Sequence, residues 1–197
     1  MRLIVFFLVA YLIASFSPAI QICKLVKKED IRTLGSKNAG TTNAIRVLGP
    51  FWGICVFLLD VLKVLIAYFC IYIIAKIIGY TDISMIKSIF LIAVVIGHCY
   101  PIYYGFKGGK GVAVMLTAAF VLNYKIALVC VIVGILIIAI TRMVSLGSIC
   151  GIVLFDIMIL IMMPQYIIAA LISSILVIFK HRANIKRIIN NEENKLF

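Results

Sequence analysis

Charge is scarce in this chain: only 13% of its 197 residues are charged, and 7 acidic residues stand against 19 Lys and Arg. A soluble domain of this size cannot hide a 65% hydrophobic composition and a mean hydropathy of +1.23 inside its own core. The composition is that of an integral membrane protein. Metal-ligand and disulfide patterns are missing as well. Cys23, Cys55, Cys70, Cys99, Cys130 and Cys150 contain no C-x-x-C pair and no histidine at metal spacing, and all but Cys23 sit in or beside apolar runs. They read as small buried hydrophobes, and no metal is expected. Nor is there a basic stripe with interleaved aromatics on an exposed domain, which sets nucleic acid aside. The net charge of +12 points instead to cytoplasmic loops facing anionic lipid or anionic substrates.

What the chain does have is apolar runs. Taking about 20 residues per crossing, these are 3–22, 51–78, 85–104, 112–122, 126–141, 144–163 and 165–179, which predicts an all-α integral membrane protein of about seven transmembrane helices in one domain, 1–197. The fourth and fifth runs are short for a straight crossing. A thinned bilayer, a misplaced boundary and a half-helix entered through an irregular loop all remain open. Lys24, Lys27, Lys28, Arg32, Lys37 and Arg46 follow the first run, whereas only Arg2 precedes it. The first loop is therefore expected in the cytoplasm and the N-terminus outside. Alternation then places Lys107 and Lys110, Arg142, and the C-terminal Lys180, Arg182, Lys186, Arg187 and Lys195 on the same cytoplasmic side. A cleaved signal peptide is not expected, because the basic residues lie behind the first run rather than before it.

Polar residues at membrane depth cost free energy unless they meet partners or ligand, so the surviving ones carry the information. Four stretches stand out. Residues 35–46 supply glycines, hydroxyls, amides and Arg46, and Asn43 and Arg46 share a face if a helix starts near Thr41 or Thr42. They suit a phosphate cradle, and equally a helix-capping loop. Residues 97–101 carry His98, and 105–111 place four glycines, Lys107 and Lys110 before a helix, as a nest of backbone donors for phosphate or as a basic loop gripping headgroups. This is not a Walker A loop, since Gly111 follows Lys110 and Tyr104 occupies the earlier glycine's place. Arg142, Ser145 and Ser148 recur every three residues at the start of the sixth run. Together they can hold an oxyanion; alternatively Arg142 snorkels and the serines bond helix backbone. The tail 181–187 is basic and doubles as a topology anchor. Asp60 and Lys63, three apart, read as an intramembrane ion pair, whereas Asp156 has no partner near it in sequence.

In this order and on this side, the four stretches resemble the membrane-bound acyl-phosphate:glycerol-3-phosphate acyltransferases of bacteria, commonly called PlsY. The pattern G-S-x-N-x-G-A-T-N-x-x-R is met by Gly35, Ser36, Asn38, Gly40, Thr42, Asn43 and Arg46, with Thr41 for Ala. G-H-x-F-P and F-K-G-G-K-G-V-A are met by Gly97, His98, Pro101 and 106–113, with Tyr100 for Phe. Ser145, Leu146, Ser148 and Ile149 fit S-L-x-S-I, and 181–187 fit H-R-x-N-I-x-R. The ending G-x-E-x-K maps onto 191–195 with Asn191 for Gly.

The resemblance implies transfer of a fatty acyl group from acyl phosphate to the 1-hydroxyl of glycerol 3-phosphate, giving lysophosphatidic acid and phosphate. It implies no cofactor, no obligate protein partner, and an active site on the cytoplasmic face of the bacterial inner membrane. His98, Ser36, Ser145 and Asn184 are the expected catalytic residues. Lys107, Gly108, Gly109, Lys110 and Gly111 are expected to hold acyl phosphate, and Ser36, Asn43 and Arg46 glycerol phosphate. Asn38, Gly40, Arg142, Ser148, His181 and Glu193 are expected to complete the phosphate sites. The H-x-x-x-x-D signature of other glycerolipid acyltransferases is absent, since Tyr103 and Lys186 stand five residues after His98 and His181, so no His-Asp relay is expected. A carrier for organic phosphates competes with this reading, but its outward links at 79–84, 123–125 and Pro164 would need more polar character. So does a headgroup-binding structural protein, which would have no need for His98 or the paired glycines.

Overall fold

The computed structural model describes residues 1–195. Every regular element among them is helical, and the chain packs as two compact units, Met1–Ala118 and Ala119–Phe197. Five helical segments are long and apolar enough to cross a membrane: Arg2–Lys27, Pro50–Ile77, Ile83–Tyr104, Tyr124–Thr141 and Val144–Met162. A sixth is formed if Pro164–Lys180 and Arg182–Ile189, bent by 60°, count as one span. The protein is thus a multi-pass membrane protein, and its many exposed Leu, Ile, Val and Phe side chains are the surface that lipid covers.

In the first unit, α1 (Arg2–Ala14) and α2 (Pro18–Lys27) make the first span. The break between them falls before Pro18, which has no N–H to continue the helical bonding. A short 3₁₀ turn, Ile31–Thr33, leads to α3 (Thr41–Leu48), which packs on α4 (Pro50–Ile77) where Gly53 gives Ile45 the room a Cβ would take. Likewise α5 (Ile83–Cys99) comes against α1 at Gly97, where a Cβ would lie 2.6 Å from Tyr11 O. That close approach fixes the depth of His98, the next residue. A second 3₁₀ turn, Ile102–Tyr104, and the glycine loop follow, and α6 (Val112–Leu122) closes the stretch. With 11 residues, α6 is about 16 Å long, well short of a bilayer.

In the second unit, α7 (Tyr124–Thr141) begins two residues before the fifth apolar run because Asn123 caps it, its side-chain oxygen accepting from the N–H groups of Lys125 and Ile126. The resulting 18 residues remove the shortfall expected for this crossing. α8 (Val144–Met162) runs close against α7: a Cβ on Gly147 would stand 2.5 Å from Gly134 O, the small-residue contact that lets membrane helices approach. After a 3₁₀ turn, Pro164–Tyr166, come α9 (Ile167–Lys180) and α10 (Arg182–Ile189). Asp156 on α8 finds its partner on α9, where Ser174 Oγ donates to Oδ1 at 2.7 Å.

Candidate active site

The glycine loop of the first unit is bolted down from several sides. Arg32 Nη1 donates to Tyr104 O at 2.7 Å and to Lys107 O at 3.0 Å, while Asp30 grips the other edge of the guanidinium through Oδ2 at 2.7 Å. Gln21 Nε2 donates to Tyr104 Oη at 2.8 Å, and Tyr11 Oη to Tyr100 O at 2.9 Å. The hydrogen bond from Arg32, opposed in part by burial, holds the Asp30 carboxyl below its ordinary range, so the clamp is ionised at neutral pH. Arg32 counts in the sequence only as one more loop cation. Its bond to a residue 72 positions away leaves no local trace.

The loop itself departs from the expected nest. Gly108 N–H donates to Cys99 O at 3.3 Å and Gly109 N–H to His98 O at 3.2 Å, so these two amides are spent on the end of α5 instead of pointing at a ligand. What glycine provides here is space. A Cβ at Gly108 would collide with His98 O, and one at Gly109 with His98 Nε2. Gly111 takes φ +92°, a conformation that side chains disfavour, just before α6 begins. Lys107 is exposed, and Lys110 half-buried.

Residues 35–46 contain a second internal brace. α3 starts at Thr41 as expected, but buried Asn43 is engaged by its own loop: Oδ1 accepts from Ser36 N–H at 2.8 Å, and Nδ2 donates to Leu34 O and Asn38 O, both at 3.0 Å, and to Ile31 O at 3.2 Å. With both amide hydrogens used, Asn43 shapes the loop that presents exposed Ser36 and half-buried Asn38, and Gly40 opens α3 as its N-cap. Arg46, one turn along, is exposed.

His98 brings the largest correction. Its Nδ1 lies 3.5 Å from Asp60 Oδ1 and 3.0 Å from Lys63 Nζ, so a carboxylate does accompany this histidine, supplied by α4 rather than by an H-x-x-x-x-D motif. The expected Asp60–Lys63 pair is present at 2.7 Å and is the base of that cluster.

In the second unit, Glu193 is the organiser. Its Oε1 accepts from Ser145 Oγ at 2.9 Å and Asn184 Nδ2 at 2.6 Å, and Oε2 accepts from Arg187 Nε at 2.8 Å. Burial pushes the carboxyl up, but those bonds outweigh it and hold it below its ordinary value. Asn191, which stands where the motif has Gly, adopts φ +58°, so the turn survives the replacement. His181 Nδ1 bonds Val177 O at 2.8 Å, and Ser148 Oγ bonds Val144 O at 2.8 Å, the backbone alternative foreseen for the serines. Arg142 does not lie on the α8 face with Ser145. It caps α7 in the left-handed conformation at φ +61°, and α8 starts only at Val144.

The sequence matches the profile of the family described as glycerol-3-phosphate acyltransferase over residues 4–191. The chain belongs to the glycerol-3-phosphate acyltransferase family. A relative of that name from Clostridioides difficile (strain 630) is 43% identical over 98% of this chain and 95% of its own length. Another, from Shouchella clausii (strain KSM-K16), is 42% identical over 96% and 93%. The crystal structure of PlsY (YgiH), an integral membrane glycerol 3-phosphate acyltransferase, in its glycerol 3-phosphate form superposes with a TM-score of 0.88 at 34% identity, covering 99% of this chain and 96% of that one. Its lysophosphatidic acid form gives 0.84 at 33%, covering 99% and 95%. The family's polar signature therefore divides by role in this acyltransferase. Ser36, Arg46 and Lys107 are exposed, whereas Asn43, Gly108 and Gly109 are committed to holding loops in shape.

Proposed function

We propose that this chain transfers a fatty acyl group from acyl phosphate to the 1-hydroxyl of glycerol 3-phosphate. The hydroxyl oxygen attacks the acyl carbon, the bond from that carbon to the bridging phosphate oxygen breaks, and lysophosphatidic acid and inorganic phosphate leave. The hydroxyl proton passes to a substrate phosphate oxygen, in keeping with how few carboxylates accompany these loops. Acyl phosphate is already an activated mixed anhydride. Positioning and charge stabilisation by fixed donors then supply the catalysis, with no call for ATP, CoA or metal.

One observation supports this reading above the others: the solved PlsY relative exists in forms named for glycerol 3-phosphate and for lysophosphatidic acid, the acceptor and the product of a single acyl transfer. Lys107, Lys110 and Gly111 are assigned to acyl phosphate, and Ser36, Asn38, Gly40 and Arg46 to glycerol phosphate. Asn43, Gly108 and Gly109 support these loops from behind. From the second unit, Arg142, Ser145, Ser148, His181 and Asn184 are assigned to the same reaction, with Glu193 orienting Ser145 and Asn184. The chain is read as one seven-crossing domain of the bacterial inner membrane, the short α6 being the seventh crossing where the bilayer thins, with the N-terminus outside and the reaction at the cytoplasmic face, where the Lys and Arg of the loops cluster.

The test is direct. Purified protein, palmitoyl phosphate and glycerol 3-phosphate, without ATP or CoA, are expected to yield lysophosphatidate. Product only from acyl-CoA would replace the donor, and none from either would overturn the reading. Arg46→Ala is expected to raise KM for glycerol 3-phosphate and Lys110→Ala that for acyl phosphate; the opposite pattern would exchange the two sites.

A further inference from the structure

Lys63 sits at the centre of a buried junction. Asp60, Lys63 and His98 are only 1%, 5% and 7% exposed. Around Lys63 Nζ stand three acceptors from three segments: Asp60 Oδ1 at 2.7 Å, Phe16 O at 2.8 Å in the link between α1 and α2, and His98 Nδ1 at 3.0 Å at the end of α5. An ammonium has three hydrogens and no lone pair, and Asp60 supplies the countercharge. Phe16 O and His98 Nδ1 take hydrogen bonds from Nζ while Asp60 Oδ1 is held as an ion-pair contact, and since an ammonium cannot accept, the 3.0 Å contact turns the lone pair of His98 Nδ1 toward Lys63. A neutral imidazole with Nδ1 as acceptor carries its hydrogen on Nε2. That nitrogen is the one against which Gly109 is packed, and the same residue's carbonyl accepts the Gly109 N–H. The ring and the loop therefore hold each other at two points, with Lys107 and Lys110 on either side of the pinned glycines.

We infer that Asp60 and Lys63 are positioning residues for acyl transfer: through Nδ1 they lock His98 in one tautomer and one orientation, and His98 in turn sets the height of the glycine loop that carries Lys107 and Lys110. The inference rests on the acyl-transfer reading for its kinetic consequence, but not for its geometry. The contacts of the pair run to the imidazole, and the imidazole in turn packs on Gly109, so the effect travels through His98.

Because the chain has only 2 histidines, the ring nitrogens are separable by 15N spectroscopy of histidine-labelled protein in lipid, with His181→Asn identifying the second signal. The wild type is expected to show His98 as one tautomer, protonated on Nε2. A proton on Nδ1, or a mixture, would overturn the inference. In the paired variant Asp60→Asn/Lys63→Gln, which keeps the bulk of both side chains and leaves no unpaired charge, the tautomer lock is expected to fail. With it, kcat/KM for acyl phosphate falls by about ten- to a hundredfold at an unchanged melting temperature. Wild-type kinetics in that variant would sink the positioning role. If the variant does not fold, the wild-type spectrum still decides. If the wild type itself forms no lysophosphatidate, the functional reading fails while the spectrum separately tests the junction.

Discussion

Gly109 leaves no room for even a methyl group beside His98 Nε2, because its loop is drawn onto the end of α5 by its own N–H. Gly109→Ala is therefore expected to displace the loop and lower kcat/KM by about a hundredfold, with little change in yield from the membrane, as read from assays of the purified variant. Glu193 makes a prediction in pH. Since its folded carboxyl titrates below its ordinary value, the stabilisation it gives is complete above the normal glutamate range and is lost as pH falls through the depressed value. Amide exchange in 190–195 should accordingly stay slow at neutral pH and become less protected, relative to the intrinsic rate, only on acidification below the usual carboxylate range. Glu193→Gln should show the loosened pattern at neutral pH. At this scale the sequence reveals which residue types matter through motif order, but not how each is used. Asn43 and Gly108 look like ligand donors in a one-dimensional reading, and only their bonds to Leu34 O, Asn38 O and Cys99 O reveal them as scaffold.

Among the helices, periodicity and run length predict most of what forms, because an apolar run with few charges has no other way to satisfy its backbone inside lipid. The ends are less legible. The start of α7 depends on the Asn123 cap, and Arg142 leaves the α8 face because the two helices are joined there by a two-residue link, left-handed Arg142 and extended Met143. Helix contacts are also hidden in the sequence until paired: Gly134 and Gly147 gain meaning only when α7 and α8 are laid together. Gly147→Ala would thrust a methyl toward Gly134 O and Ile138, and is expected to destabilise the pair by about 1–3 kcal/mol, visible as a lowered melting temperature in detergent. Arg32→Gln, which lets go of Tyr104 O and Lys107 O, is expected to reduce kcat/KM by about tenfold with far less effect on melting.

For the whole molecule, the basic loops make orientation a measurable quantity. Cysteines introduced at Lys37 and Lys107, each in an exposed position, are expected to react with an impermeant thiol reagent only in inside-out vesicles. Labelling of either in right-side-out vesicles would refute the proposed sidedness. Across the molecule, amine chemistry should also divide the lysines into two populations. Reductive methylation needs a nitrogen lone pair and an open approach, and the solvent-facing lysines of the loops have access to both. Lys63, only 5% exposed and held between the Asp60 carboxylate, Phe16 O and His98 Nδ1, should emerge from exhaustive treatment unmodified in the mass spectrum, a silent amine whose silence reports that the interrupted first span, the second and the third are still knotted together.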